Sequence, residues 1–272
     1  MTDSTRRITF ALMALTLGVT ASTILAADAS LDAAVLSAYV WRGQVINDEM
    51  VLQPAFTAES EWGLKLNAWA NVDLTDKADV KGEVNEIDLL ISYSPKFEGP
   101  VSLEVGFAEY AFPKEGNWEV ELPDGHAVVA EETRIGEDTD TREVFLTVAA
   151  EDVILAPTLL LSYDMDEVKD LYVNLGISHS LPLMDETLSL DLSASVGYAF
   201  KDYNKYYFGT DDAAFNDGNV AASLAYTVTP SLSLTGTIQY TAMLDSKIKD
   251  GAELKFGEKD IVYGGVSASF AF

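Results

Sequence analysis

From about residue 30 onward the chain alternates in twos. In SLSLTGTIQYTA, Leu232, Leu234, Gly236, Ile238, Tyr240 and Ala242 fall on one file, and Ser231, Ser233, Thr235, Thr237, Gln239 and Thr241 on the other. TLSLDLSASVGYAF repeats the plan, with Leu188, Leu190, Leu192, Ala194, Val196, Tyr198 and Phe200 opposed by Ser189, Asp191, Ser193, Ser195, Gly197 and Ala199. A period of two belongs to an extended strand with two unlike faces. No convincing period of 3.6 appears, and past the first residues no apolar run approaches the roughly 18 residues of a spanning helix.

The second file decides what kind of sheet this is. In a soluble barrel or sandwich the apolar file interlocks inside and the other commonly carries charge into water. Here the second file is small and uncharged for long stretches, which suits the polar lumen of a membrane barrel whose apolar file meets lipid. Tyr198 with Phe200, and Phe270 with Phe272, stand at strand ends, where aromatic girdles are expected. A secreted β-sandwich is the competing fold, because its strands alternate as well.

Strands are predicted near 32–43, 50–60, 63–73, 84–94, 100–112, 142–150, 156–165, 169–181, 186–200, 218–229, 231–242 and 260–272, about twelve in all. Their connections alternate in length. Tight ones fall around Trp62 and Gly63, PKFEG, EDVILA, PLMDE, and Thr229 with Pro230. Long ones, 113–141, 201–217 and 243–259, fall at the other end by strand parity. The expected fold is therefore all-β, a transmembrane antiparallel up-and-down barrel with short turns and both termini on the periplasmic side.

Charge and composition narrow the partners. The net charge of −27 argues against nucleic acid, which requires clustered Lys and Arg. The absence of cysteine excludes disulfides and thiolate metal sites, and nothing in the sequence calls for a cofactor. Arg6 and Arg7, the apolar run ITFALMALTLGVTASTILA and the small residues beyond it have the order of a secretory signal peptide. Residues 1–27 are assigned to that signal and 28–272 to the barrel, a retained membrane anchor being the alternative.

With its alternating strands, its asymmetric connections and the terminal VYGGVSASFAF, the chain resembles bacterial outer-membrane β-barrel, porin-like proteins. The resemblance implies residence in the outer membrane of a Gram-negative bacterium, contact with its lipid, and recognition of the last strand, with Phe270 and Phe272, by the barrel assembly machinery. AYVWRGQ (38–44), taken as part of the first strand, is similar to a segment in a group of uncharacterised outer-membrane proteins that carry a Tyr-Val-Trp-Arg-Gly first strand. The group supplies no catalytic residues.

Candidate chemistry is sparse. A barrel enzyme would need a nucleophile and a base, and only His126 and His179 are present. His179 shares the apolar file of Val173, Leu175 and Ile177, whereas His126 lies in the longest connection; an interfacial place and a solvated loop account for them, and no enzyme is expected. Glu131, Glu132, Glu137, Asp138 and Asp140, and separately Asp211, Asp212 and Asp217, could hold divalent cations weakly in outer loops, but calcium-loop spacing is missing. Strict parity puts Arg42 with Leu36, Ala38 and Val40, so either a bulge turns it inward or it sits at the outer interface.

The inward file is expected to carry Glu59, Lys65, Asp88, Glu104, Glu143, Asp164 and Asp191, with acids in excess. About twelve strands enclose a narrow lumen, between the filled barrel of eight and the open channel of sixteen. The expected function is a narrow passive channel for small hydrophilic solutes that prefers cations, with Glu104, Asp191, Asp88 and Asp164 as the selectivity candidates. A structural or surface-interaction barrel with a plugged lumen is the alternative.

Overall fold

The computed structural model describes residues 28–75, 81–96, 98–112, 119–121, 127–129, 140–150, 152–184 and 187–272. The expected export signal, His126, Glu131, Glu132, Glu137 and Asp138 lie outside the described residues.

In chain order the strands are β1 (Asp28–Leu36), β2 (Tyr39–Trp41), β3 (Gln44–Asn47), β4 (Val51–Glu59), β5 (Leu64–Asp73), β6 (Val84–Tyr93), β7 (Ser102–Ala111), β8 (Glu119–Glu121), β9 (Ala127–Val129), β10 (Thr141–Ala149), β11 (Thr158–Asp164), β12 (Leu171–Leu183), β13 (Leu188–Ala199), β14 (Ala214–Thr229), β15 (Leu232–Met243) and β16 (Asp260–Ala271). Two pairs, β2 with β3 and β8 with β9, are separate hairpins. The other twelve close into one antiparallel barrel in the order β1-β16-β15-β14-β13-β12-β11-β10-β7-β6-β5-β4. The ring shuts where β1 pairs with β16, Leu31 opposite Phe270, and with β4, Leu36 opposite Val51. At that seam Phe272 N donates to Ala29 O at 3.0 Å and Ala29 N to Phe272 O at 3.3 Å. Closure leaves no strand edge unpaired, which a sheet in hydrocarbon requires.

The register fixes the faces. Outward residues stay open although they are apolar: Val105 is 53% exposed, Ile238 58% and Val266 65%. Such a surface is adverse in water and ordinary against lipid. No described helix is long and apolar enough to cross a membrane, and the crossing elements of this fold are its strands. Aromatic pairs stand at both ends of the band. Trp62 with Tyr93 and Phe270 with Phe272 mark the short-turn end, and Tyr198 against Phe200 and Phe215 marks the long-loop end.

Three expectations about the long-loop end are corrected. First, the initial strand does not run to residue 43. It stops at Leu36, and the Tyr-Val-Trp-Arg-Gly segment belongs to the β2–β3 hairpin. Second, two connections read as loops contain helices, α1 (Lys201–Phe208) and α2 (Ser246–Phe256). Both are too short to show a convincing period. Asp245 caps α2 by accepting from Lys247 N and Ile248 N, and Gly209 and Gly257 end the two helices. Third, Asp217 is not in a loop. It lies in β14, where it is fully buried. Under the helices Val168, Tyr172, Ala199, Tyr203, Phe208, Met243, Ile248 and Ala252 form one apolar core.

Candidate functional site

The lumen has two unlike walls. Toward β5, β6, β7 and β10 the inward file is bulky and acidic, with Lys65, Trp69, Glu86, Asp88, Glu104, Glu143 and Phe145. Toward β11–β16 it is small and hydroxylated. There Thr158, Ser178, Ser193, Ser195, Asn219 and Gln239 are among the residues that line a cavity of about 360 Å³. Only small side chains on every second position leave such space; bulky ones would meet across it.

Across the long-loop end of this lumen lies the β2–β3 hairpin. Its two turn residues both have left-handed backbone, Arg42 at φ 47° and Gly43 at φ 80°, as the tight two-residue turns of hairpins demand. A side chain at Gly43 has no room, because a Cβ there would stand 2.6 Å from Asp217 Cβ and 3.0 Å from Met243. The turn thus abuts β14 and β15, two to three strands round the ring from β1, and the hairpin itself starts between β1 and β4. Further bonds hold its stem: Tyr39 Oη donates to Glu86 Oε2 at 2.8 Å, Gln44 Nε2 to Tyr203 Oη at 3.3 Å and Asn47 Nδ2 to Asp73 Oδ1 at 2.8 Å.

Arg42 is the centre of the assembly. Its Nη1 donates to Glu143 Oε1 at 2.8 Å and its Nη2 to Glu143 Oε2 at 2.7 Å, a two-pronged ion pair with side chains only 11% and 3% exposed. Nη2 also reaches Ser162 Oγ at 3.2 Å. Glu143 Oε2 accepts from Ser162 Oγ and, at 3.0 Å, from Tyr110 Oη. The guanidinium lies 4.4 Å from the ring centroid of Trp41 and 4.5 Å from that of Tyr172. Trp41 in turn rests edge-on against Tyr110 and Tyr207. Burial opposes the charge of Arg42, but Glu143 more than offsets it, and the group is held more firmly protonated than a free arginine. Arg42 therefore sits neither on a bulge of a wall strand nor at the outer interface.

The four selectivity candidates face unlike surroundings. Glu104 accepts from Lys65 Nζ at 2.9 Å and from Ser92 Oγ at 2.6 Å. Asp164 is 2% exposed; Oδ2 takes Thr141 Oγ1, and Oδ1 takes the backbone amides of Asp166, Glu167 and Val168, so its carboxylate caps the turn after β11. Asp88 lies between Trp69 and Tyr110 in register, with Oδ1 buried and without a hydrogen-bond partner among the described residues. Asp191, opposite Ser180 and Ser223, accepts from Ser189 Oγ at 3.0 Å. His179 keeps to the outward file, opposite Leu192.

Those of the suggested loop ligands that lie among the described residues are not gathered either. Asp211 pairs with Lys201, Asp212 with Lys247, and Asp217 accepts from Tyr172 Oη at 2.9 Å and Asn219 Nδ2 at 2.8 Å. No group of three metal-ligating side chains occurs among the described residues. What sequence reasoning missed is the cage of Glu143, Ser162, Tyr110, Tyr172 and Trp41 around Arg42. One signal was present: a Gly-containing pair, Arg42 and Gly43, between the short runs YVW and QVIN reads as a hairpin turn.

Solved structures of the same fold are outer-membrane pores. The KdgM porin superposes with a TM-score of 0.51 at 10% identity, covering 89% of this chain and 99% of that one. The NanC porin gives 0.51 at 9% identity, with coverage of 89% and 98%. An outer-membrane channel from Pseudomonas putida F1 gives 0.50 at 12% identity, with coverage of 91% and 96%. At such identities the likeness concerns the fold. A comparison with curated proteins returned no match. Residues 21–256 match the model of a family described as bacterial protein of unknown function (Gcw_chp), and the chain belongs to that family.

Proposed function

We propose that the protein is an outer-membrane channel of a Gram-negative bacterium, a narrow passive route for small hydrophilic solutes with a preference for cations. The observation that carries this reading is the cavity of about 360 Å³ along the hydroxylated wall, faced across the lumen by acids. A barrel that served only as a scaffold would gain by filling that volume. Lumen carboxylates in a narrow, poorly screened passage concentrate cations and repel anions. A solved structure has the KdgM porin in complex with disordered oligogalacturonate; the acid excess here argues for solutes of neutral or positive charge. Asp191 is the leading selectivity residue, because it stands on the hydroxylated wall and, among the described residues, accepts from Ser189 Oγ and forms no ion pair, whereas Glu104 shares its charge with Lys65.

The β2–β3 hairpin favours a second reading, a barrel plugged at its outer half. The two are separated by purified protein in a planar bilayer under a salt gradient. A channel gives current and a reversal potential of cation-selective sign, and Asp191→Asn combined with Glu104→Gln moves that potential toward zero. Folded protein without measurable current supports the plug, and an anion-selective sign refutes the charge argument.

A further inference from the structure

We infer that Glu143, Ser162, Tyr110 and Tyr172 form a recognition site for guanidinium cations inside the lumen, which the chain fills with its own Arg42, so that the hairpin is a tethered occupant of a solute site. The proposal extends the channel reading by naming a solute chemistry, and its first readout does not depend on current.

The site has what guanidinium recognition requires. A planar fork needs two parallel acceptors, and the two oxygens of Glu143 take Nη1 and Nη2 at 2.8 and 2.7 Å. Those acceptors must be held still. Ser162 and Tyr110 do so, each donating to Oε2, and the carboxylate is 97% buried in the sense that only 3% of the side chain is exposed. The delocalised cation needs aromatic surface, which Tyr172 presents at 4.5 Å, with Trp41 on the hairpin itself at 4.4 Å. An alkylammonium would satisfy the charge but could engage only as a point donor, losing the fork.

All of these wall groups come from barrel strands: Tyr110 from β7, Glu143 from β10, Ser162 from β11 and Tyr172 from β12. None of them is carried by the hairpin. Arg42 reaches them at some cost, since a non-glycine residue with φ 47° is disfavoured by sterics. The site is thus built by the wall and occupied by a loop. A free guanidinium and the Arg42 side chain exclude one another there, and the tether gives Arg42 the advantage of high local concentration.

Arg42→Ala empties the site. Saturation-transfer NMR with methylguanidinium, on detergent-solubilised protein checked for heat-dependent gel mobility, should show binding to Arg42→Ala with half-saturation in the millimolar range expected without the tether. Wild type should show little at the same concentration. Arg42→Ala with Glu143→Gln should bind about tenfold more weakly or worse, because a charge-assisted pair is gone, and methylammonium should bind Arg42→Ala less well than methylguanidinium does. In bilayers, methylguanidinium should then reduce the Arg42→Ala current. Equal binding by wild type and Arg42→Ala, or by the single and double variants, overturns the site and reveals unspecific attraction to an acidic lumen. Binding without any current keeps the site and overturns the channel reading alone. If Arg42→Ala does not fold, Arg42→Gln, which keeps two of the stem's three methylenes and loses the cation, is put through the same comparison.

Discussion

A methyl group added at Gly43 should lift the hairpin from the lumen. The Cβ would lie 2.6 Å from Asp217 Cβ, about 1 Å inside ordinary carbon contact. Neither partner can retreat freely. Asp217 is held by Tyr172 and Asn219, and its Oδ1 already stands 2.2 Å from where a Cβ on Gly197 would be. Overpacking of this sort costs about 1–3 kcal/mol, and a left-handed backbone adds about 1–2 kcal/mol for an L-residue. Gly82→Ala separates the two terms: its φ is 78°, yet nothing among the described residues lies within 4 Å of its Cβ position. The difference between the variants, about 1–3 kcal/mol of contact energy, lowers the ratio of docked to undocked hairpin about 5- to 150-fold relative to Gly82→Ala. Single-channel recording should show longer or larger openings for Gly43→Ala and wild-type behaviour for Gly82→Ala, with both proteins heat-modifiable on gels. If folded Gly43→Ala conducts as Gly82→Ala does, the contact with Asp217 does not hold the hairpin, and the steric reasoning fails.

Other expectations follow from the ring and its ends. A tag inserted at Asp212, in the connection after α1, should be reachable from outside intact cells, and one at Glu98, in a tight turn at the opposite end, should not; reversed accessibility would invert the orientation. Deletion of Phe272 removes two backbone hydrogen bonds at the β1–β16 seam as well as the aromatic end of the last strand, so outer-membrane yield should fall several-fold while synthesis is unchanged. Normal yield of the shortened chain would show that neither the seam bonds nor the terminal aromatic residue governs insertion.

The wall of this molecule was legible because its physics is local. A strand in a barrel needs one face for lipid and one for the lumen, and Leu232 to Met243 satisfies that demand residue by residue with no knowledge of its neighbours. Turn residues such as Gly63 ended strands where the pattern broke. The helices were less legible: α1 has only eight residues, about two turns, and most of its apolar side chains are aromatic residues that also favour strands. Asp217 was misplaced for a related reason. The register between β13 and β14 shifts between Val196 and Tyr198, so the alternation is interrupted at the start of β14 beside Asp217 and the strand reads as beginning later than it does.

The hairpin could not be read by parity at all, because what pulls it inward lies far along the chain. Tyr39, Trp41 and Val45 have the same composition as a wall strand, and only their partners show that they belong to the lumen. Those partners are 47 residues away for Tyr39 and Glu86, 101 for Arg42 and Glu143, and 159 for Gln44 and Tyr203. The charge balance makes the outcome intelligible. A ring of twelve strands encloses more volume than its own small side chains fill, and a loop can settle into that space only if its polar groups find partners there. An acidic lumen supplies acceptors, so the loop that settles must bring a cation, and Arg42 is the cation it brings. Glu143 is then neutralised where it stands, as Glu104 is by Lys65. The acids that hold the structure together are for that reason poorly placed to select what passes through it, and under the proposed channel function selectivity would rest on a carboxylate of the hydroxylated wall, for which we propose Asp191.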